Sequence, residues 1–443
     1  MKKRLHRPRL RYYLLFIGLI VFMWVYYFFL SPPPPVANNR DYKGSVQYPT
    51  TPITLTYWRV YDSQNAFDAV VADYQKLHPN VTVQIQEVDA AIYDAKLTAA
   101  AKAGTLPDIF AIRNDWLVRY QANASPAPES VFTAKQFKSD FASLISGELV
   151  QGNKVWGVAY SLPTLGLFYN PSLFEQAGLK DPPSSWQELL DANTKLSQKQ
   201  GPALYKSGVA LGTPAINNSA DVLSVLMMQN GAQMTNQPPT QATFGSVDSN
   251  NYNAGAKALA FYSSFSNPNK TSYSWSDALG GSVQAFANGK TAMIIDYPFQ
   301  ANMISATNPD LKFKTAPLPQ LNSSNQLNYS QYVAELVSSN SKNPDIAWDF
   351  LGFASSYNEL AKYLNASGRV SSRPDLAKSQ YNDPILGPFA RQVVSATDWY
   401  QGYNAAASDE ALREAMATVQ LGYDPAIALR LVEPKVTEQV QKK

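Results

Sequence analysis

The stretch that decides the fold runs from residue 53 to 112 and breaks into five pieces: ITLTYW (53–58), FDAVVADYQKLH (67–78), VTVQIQEV (81–88), YDAKLTAAAKA (93–103) and DIFAI (108–112). The first and third alternate apolar and polar side chains, the two-residue period of a strand. The second repeats Phe67, Val70, Val71, Tyr74 and Leu77 at helical spacing and is stopped by Pro79-Asn80. The fourth is Ala-rich and closed by Gly104, and the fifth is a short apolar run. Strand–helix–strand–helix–strand is the pattern of a parallel sheet with crossover helices.

Outward from this unit, further strands are expected at WGVAYSL (156–162), LGLFY (165–169), Val209–Leu211, TAMII (291–295), 313–318 and 332–337. Helices are expected at 186–198, with Ser184 or Ser185 as cap, at 220–230, and in a run that begins at Ile346 and dominates the C-terminus. A chain of 443 residues is ordinary for two domains. No repeat of 20–50 residues is visible.

The N-terminus has a different character. Six bases and no acid occupy the first eleven residues, followed by YYLLFIGLIVFMWVYYFFL, Tyr12–Leu30, without a charge. About 20 apolar residues cross a bilayer, and the basic flank belongs on the cytoplasmic side. The reading is a cytoplasmic tail (1–11), a single transmembrane anchor (12–30), a Pro-rich linker (31–52) that includes Pro32–Pro35, and an extracytoplasmic head. A cleaved signal peptide is the rival, but no A-x-A site follows.

The net charge of +3 comes from the tail. Without it 31 bases face 34 acids, and no basic run follows Arg11, so no nucleic-acid partner is expected. The absence of Cys excludes disulfides, thiolate metal sites and a lipidated N-terminal Cys. His6 and His78 are the only histidines, so Ser-His-Asp, Cys-His and His-based zinc sites lack parts. No metal and no cofactor is expected. Gly289-Lys290-Thr291 ends like a phosphate-binding loop, but Gln284 stands where the first Gly belongs, and the chain there runs from helix to strand. Paired carboxylates remain, with Asp62, Asp115 and Asp296 as candidates.

In parallel sheets ligands sit beyond the carboxyl ends of the strands. Those ends are Trp58–Asp62 and Arg113–Trp116, mixing aromatic faces with hydrogen-bonding groups, a combination that suits a sugar.

Four stretches resemble the family-1 extracellular solute-binding proteins, the maltose-binding-protein-like group. They are YDAKLTAAAKAGTLPDIF (93–110), GVAYSLPTLGLFYNPSLFEQAGLKDPPSSWQELL (157–190), FANGKTAMIIDYPF (286–299), and 336–354, with Ser341-Lys342-Asn343-Pro344 and Ala347-Trp348-Asp349-Phe350, followed by Gly368-Arg369-Val370. The resemblance implies an α/β, two-lobed periplasmic-binding-protein-like fold with discontinuous lobes, 53–162 with 318–366 and 163–317 with 367–443. It implies hinge closure on a ligand, delivery to ABC permease subunits, no enzymatic turnover, and a monomeric head. Carried over by motif, the ligand contacts fall on Trp58, Tyr61, Asp62, Asn114, Asp115, Pro214, Asn217, Tyr297, Phe299 and Trp399, with Tyr400 as an alternative to the last. Phe299 stands where the group commonly has Trp, and Asp296 adds a carboxylate beside it. The expected ligand is a small neutral sugar or oligosaccharide. An anchored sensor or scaffold and a two-carboxylate glycosidase are the alternatives.

Overall fold

The computed structural model describes residues 42, 44, 46–60, 65–200 and 203–442. The tail, the anchor Tyr12–Leu30, most of the linker, and Tyr61 and Asp62 lie outside the described residues. Among the described residues no helix is long and apolar enough to cross a membrane.

The deciding stretch folds as its periodicity demands: β1 (Ile53–Arg59), α1 (Asp68–Leu77), β2 (Val81–Glu87), α2 (Ala90–Ala103) and β3 (Ile109–Arg113). β1 is parallel to both β2 and β3. Ile53, Leu55 and Tyr57 point into the core while Thr54 and Thr56 stay exposed. Val70 and Tyr74 are the buried positions of α1. The carboxylate of Asp89 accepts from the Ala91 N–H to start α2, and Gly104 ends it at φ +68, a conformation that a side chain disfavours.

The chain continues through β4 (Ala124–Ser125) and α3 (Ser143–Leu149) to β5 (Gly166–Tyr169), α4 (Trp186–Leu196), β6 (Gln198–Gln200), β7 (Ala203–Val209), α5 (Ser219–Gln229), α6 (Ala254–Ser264), β8 (Thr291–Asp296) and β9 (Lys314–Pro317). It then passes β10 (Asn328–Tyr329), β11 (Val333–Ser338), α7 (Pro344–Ala354), α8 (Tyr357–Ser367), β12 (Ala396–Thr397), α9 (Ala405–Gln420) and α10 (Pro425–Gln441).

Two five-stranded sheets result. The first has the order β2-β1-β3-β11-β4, the second β9-β5-β8-β7-β6. In the first, a late strand, β11, lies between β3 and β4 and runs antiparallel to both. In the second, β8 runs antiparallel to β5 and parallel to β7, and all six of its residues are buried. Helices α9 and α10 return to the second sheet's core, where Leu412, Leu429 and Val432 join Val209, Leu223, Leu259 and Ile295.

Three segments cross between the sheets side by side. β10 pairs with β12 in parallel, Asn328 opposite Ala396 and Tyr329 opposite Thr397. Thr164 bridges to Ser330, and the Leu165 N–H donates to the Tyr329 carbonyl at 2.9 Å.

Two expected strands are corrected. Residues 156–162 form only the isolated bridges Val158 to Glu335 and Ser161 to Ser371. This segment feeds the crossover at Pro163, whose ring nitrogen has no hydrogen to extend a ladder. The strand expected at 209–211 lies earlier, at Ala203–Val209. It passes so close to α4 that a Cβ on Gly208 would sit 2.4 Å from Asn193 Oδ1, which explains a Gly inside a strand. His78 caps the end of α1, its backbone N–H donating to the Tyr74 carbonyl at 2.9 Å, and its ring stacks on Tyr48 with centroids 4.0 Å apart. Gly289 does lie between a helix and a strand, the wrong order for a phosphate loop.

Candidate ligand-binding cleft

A cavity of about 590 Å³ opens between elements of the two sheets. One wall comes from the end of β3 and from α3, with Asn114, Asp115 and Glu148. The other comes from the segment after β12, with Asp398, Trp399 and Tyr400.

Each wall residue is set by its element. Asn114 and Asp115 follow β3 directly, so they stand at the carboxyl edge of the sheet. Arg113 turns back on Asp115, with Nη2 to Oδ2 at 2.7 Å and Nε to Oδ1 at 3.3 Å. Burial weighs against the Arg113 charge, but Asp115, then Asp409 and Asp221, outweigh it and raise its pKa. Trp399 is held from behind: its Nε1 donates to Ser224 Oγ at 3.1 Å, and its ring meets Phe244 edge-on at 6.4 Å. The Asn114 Nδ2 donates to Asp398 Oδ2 at 2.5 Å and to Glu148 Oε2 at 3.3 Å, while the Tyr332 hydroxyl donates to Glu148 at 2.6 Å. Burial, and then the neighbouring Glu148, push the Asp398 carboxyl well above the usual range.

Behind this wall the polar chain continues into the second sheet's lobe. Asp221, on α5, accepts from the Tyr297 hydroxyl at 2.9 Å and from Gln331 Nε2 at 3.2 Å. Burial, with Asp409 next, pushes its pKa up to about 7. Asp409, on α9, accepts from Gln401 at 2.7 Å, and burial raises its pKa although Arg113 pulls the other way. Carboxyl groups outnumber Arg113 in this region. Among the described residues, no group of three or more His, Asp or Glu side chains is arranged to hold a metal ion.

The sequence-predicted residues divide into groups. Asn114, Asp115 and Trp399 meet at the cavity. Tyr297 belongs to the polar chain through Asp221. Asn217 and Asn218 instead donate to Asp296 at 2.7 and 2.8 Å, and the Tyr297 N–H donates to the same carboxylate. Burial pushes Asp296 to about 7 against these donors. Pro214 offers its carbonyl to the Ser219 hydroxyl at 2.9 Å. Phe299 is 46% exposed, with its ring stacked on Tyr297. Trp58 is half-buried beneath the Lys96 ammonium, 4.1 Å from the ring centre. None of Trp58, Pro214, Asn217 and Phe299 lines the cavity. Asp115 and Asp296, weighed as paired carboxylates, go to different partners, Arg113 and the two asparagines.

Sequence reasoning missed Glu148, Asp221, Asp398 and Asp409. Asp398 had a signal, since it immediately precedes the aromatic pair Trp399-Tyr400. Asp221 lies in the first turn of α5 and Asp409 one turn into α9, where an acidic residue is ordinary, and they give none.

The model of the bacterial extracellular solute-binding proteins matches residues 61–357. A binding protein of Brucella abortus (strain 2308) is 26% identical over 340 residues, 74% of this chain and 78% of that protein. The lactose-binding protein of Rhizobium radiobacter is 26% identical over 166 residues, 36% of this chain and 37% of its own length. Among solved structures, the cyclic α-maltosyl-1,6-maltose binding protein of Arthrobacter globiformis superposes with a TM-score of 0.73 at 22% identity, covering 88% of this chain and 99% of that one. The sugar-binding protein MalE of Xanthomonas citri gives 0.71 at 20%, covering 87% and 97%. At these identities the structures establish the fold, and the family model establishes kinship: this chain belongs to the bacterial extracellular solute-binding proteins, which bind their solutes and are not enzymes.

Proposed function

We propose that the protein captures a neutral saccharide in the cavity between its lobes and delivers it to the permease of an ABC-type importer by closing around it. The observation that carries this reading is the wall itself. Trp399 and Tyr400 line it with aromatic surface for the apolar side of a sugar, and Asn114, Asp115, Glu148 and Asp398 offer partners for its hydroxyls. The excess of carboxylates disfavours an anionic cargo. The kinship with solute-binding proteins, and relatives whose names specify lactose or maltose-type oligosaccharides, support the same cargo class. The division into lobes 53–162 with 318–366 and 163–317 with 367–443 belongs to this reading. The side-by-side crossovers at 164, 329 and 397 would be the hinge. Tyr12–Leu30 would hold the head outside the cell on a stiff linker.

Thermal shifts of the full chain in detergent, with maltotetraose, lactose, a polyol, a dipeptide and citrate, test the cargo. A ligand at 100 times its Kd stabilises by about 2.7 kcal/mol. A rise with a saccharide, weakened in Trp399→Phe, is expected. A rise with the dipeptide or citrate alone sinks the sugar assignment. Trp399→Phe is the useful variant because Trp399 is only 7% exposed and part of the core. Trp399→Ala should lose about 3–5 kcal/mol of stability in urea unfolding whatever its effect on ligand. Alkaline carbonate extraction of membranes checks the anchor: a head released into the supernatant, with a new N-terminus after Leu30, would refute it.

A further inference from the structure

We propose that Asn114 is a positioning residue that ties the cavity wall to the crossover strip and holds the closed arrangement, a role that rests on the capture-by-closure reading above. Asn114 is 6% exposed, yet it lines the cavity. Its backbone N–H donates to the Tyr332 carbonyl at 3.0 Å, and its Oδ1 accepts from the Tyr332 N–H at 3.3 Å. Tyr332 lies just beyond β10. The Asn114 Nδ2 donates to Asp398, the residue after β12, at 2.5 Å. One side chain therefore grips both exits from the β10–β12 strip, and β10 and β12 are the two strands that any swing of the lobes must twist. The shared contact to Glu148 at 3.3 Å fastens the same amide to α3.

The chemistry admits few substitutes. The position needs an acceptor toward Tyr332 and a donor toward two carboxyl groups. The titratable and charged groups around it are Glu148 on α3, Asp398 after β12, Tyr332, and Asp115 beside it, whose charge is taken by Arg113. A carboxylate at 114 would keep the shape, lose the donor and place a third carboxyl group beside Glu148 and Asp398. Protonated, it regains an O–H donor.

The chain has no cysteine, so two introduced ones label uniquely. Lys102→Cys, on α2, and Asp310→Cys, before β9, are both exposed and stand on different sheets' lobes. Spin-label distances are measured on the unliganded full chain at about pH 7.5 and about pH 5. The parent should show a short-distance component at both. Adding Asn114→Asp should remove that component at pH 7.5 and restore it at pH 5, and Asn114→Ala should remove it at both. The pH rescue shows in the same sample that the variant is folded, which a merely structural defect would not give. An Asn114→Asp distribution equal to the parent's at pH 7.5, or one that does not recover at pH 5 while the parent's holds, overturns the role of Asn114. Maltotetraose added to the parent is a separate arm: if it raises the melting temperature without enriching the short component, the closure reading fails instead.

Discussion

At the residue scale, Asp296 shows what burial does to a group that the sequence offered as one of a possible carboxylate pair. It is 1% exposed and ends β8. Burial lifts its pKa from 3.8 to about 7, and the donors from Asn217, the Tyr297 backbone, Gln300 and Asn218 only partly offset that. A raised carboxyl pKa means that the folded state holds the proton more tightly than the unfolded one. Its contribution to stability is therefore complete below about pH 4 and falls as pH rises toward about 7, by at most about 1.4 kcal/mol per unit. Asp296→Asn keeps the shape and cannot titrate, so its stability should fall less steeply across that window. Asp221, Asp398 and Asp409 shift the same way, so part of the slope should persist. Urea unfolding at pH 4.5, 6 and 7.5 checks this, and equal slopes for parent and variant would count against it. The sequence brought Asp296 into view through its motif, but proximity in a motif did not reveal that its partners are Asn217 and Asn218 rather than the cavity.

At the element scale, the segment from Asp398 to Gly402 carries the second wall of the cavity, and Gly402 fixes where it lies. Gly402 has φ +86, and a Cβ there would come within 2.3 Å of the Gln439 carbonyl carbon on α10. The next residue locks the approach, since the Tyr403 N–H donates to the Gln439 carbonyl at 2.9 Å. Gly402→Ala should cost about 3 kcal/mol from backbone strain and the clash together, and should weaken ligand binding by displacing Trp399. Chemical unfolding with a parallel titration reads both, and an unchanged midpoint would refute it. Elements such as this explain where sequence legibility ends. The β1 to β3 unit was readable because local periodicity alone specifies it, and Ser185 was readable as a cap because its Oγ accepts from the Glu188 N–H three residues on. The Asp398–Gly402 segment has no period. Its conformation is set by α10, almost forty residues later, and only its aromatics could be noticed. The segment 156–162 failed the other way: its apolar pattern suits a strand, but it was recruited to the crossover strip.

At the scale of the whole molecule, the proposed closure brings carboxyl groups and one arginine from the two sheets' sides of the cavity together, so its charge balance is open to test. Arg113 projects from the first sheet and is bonded to Asp115, while its field also reaches Asp221 and Asp409 on helices of the second lobe. With Arg113 present, one cation serves carboxylates on both sides of the cleft. Arg113→Gln keeps a hydrogen-bonding side chain and removes the charge. At about pH 8, Asp115, Asp221 and Asp409 would then face each other with Arg413, whose field reaches Asp409, as the remaining cation, and separating the lobes into water relieves the repulsion. The variant should lose about 2–3 kcal/mol of stability and show a larger radius of gyration than the parent by small-angle scattering. Lowering the pH toward 5 takes Asp221 below its pKa of about 7, discharges the repulsion and should bring the radius back toward the parent value. An ion pair that merely braced one lobe would give the same loss of stability, but it would leave the radius unchanged at both pH values. The change in radius, rather than the change in stability, therefore decides whether Arg113 acts between the lobes.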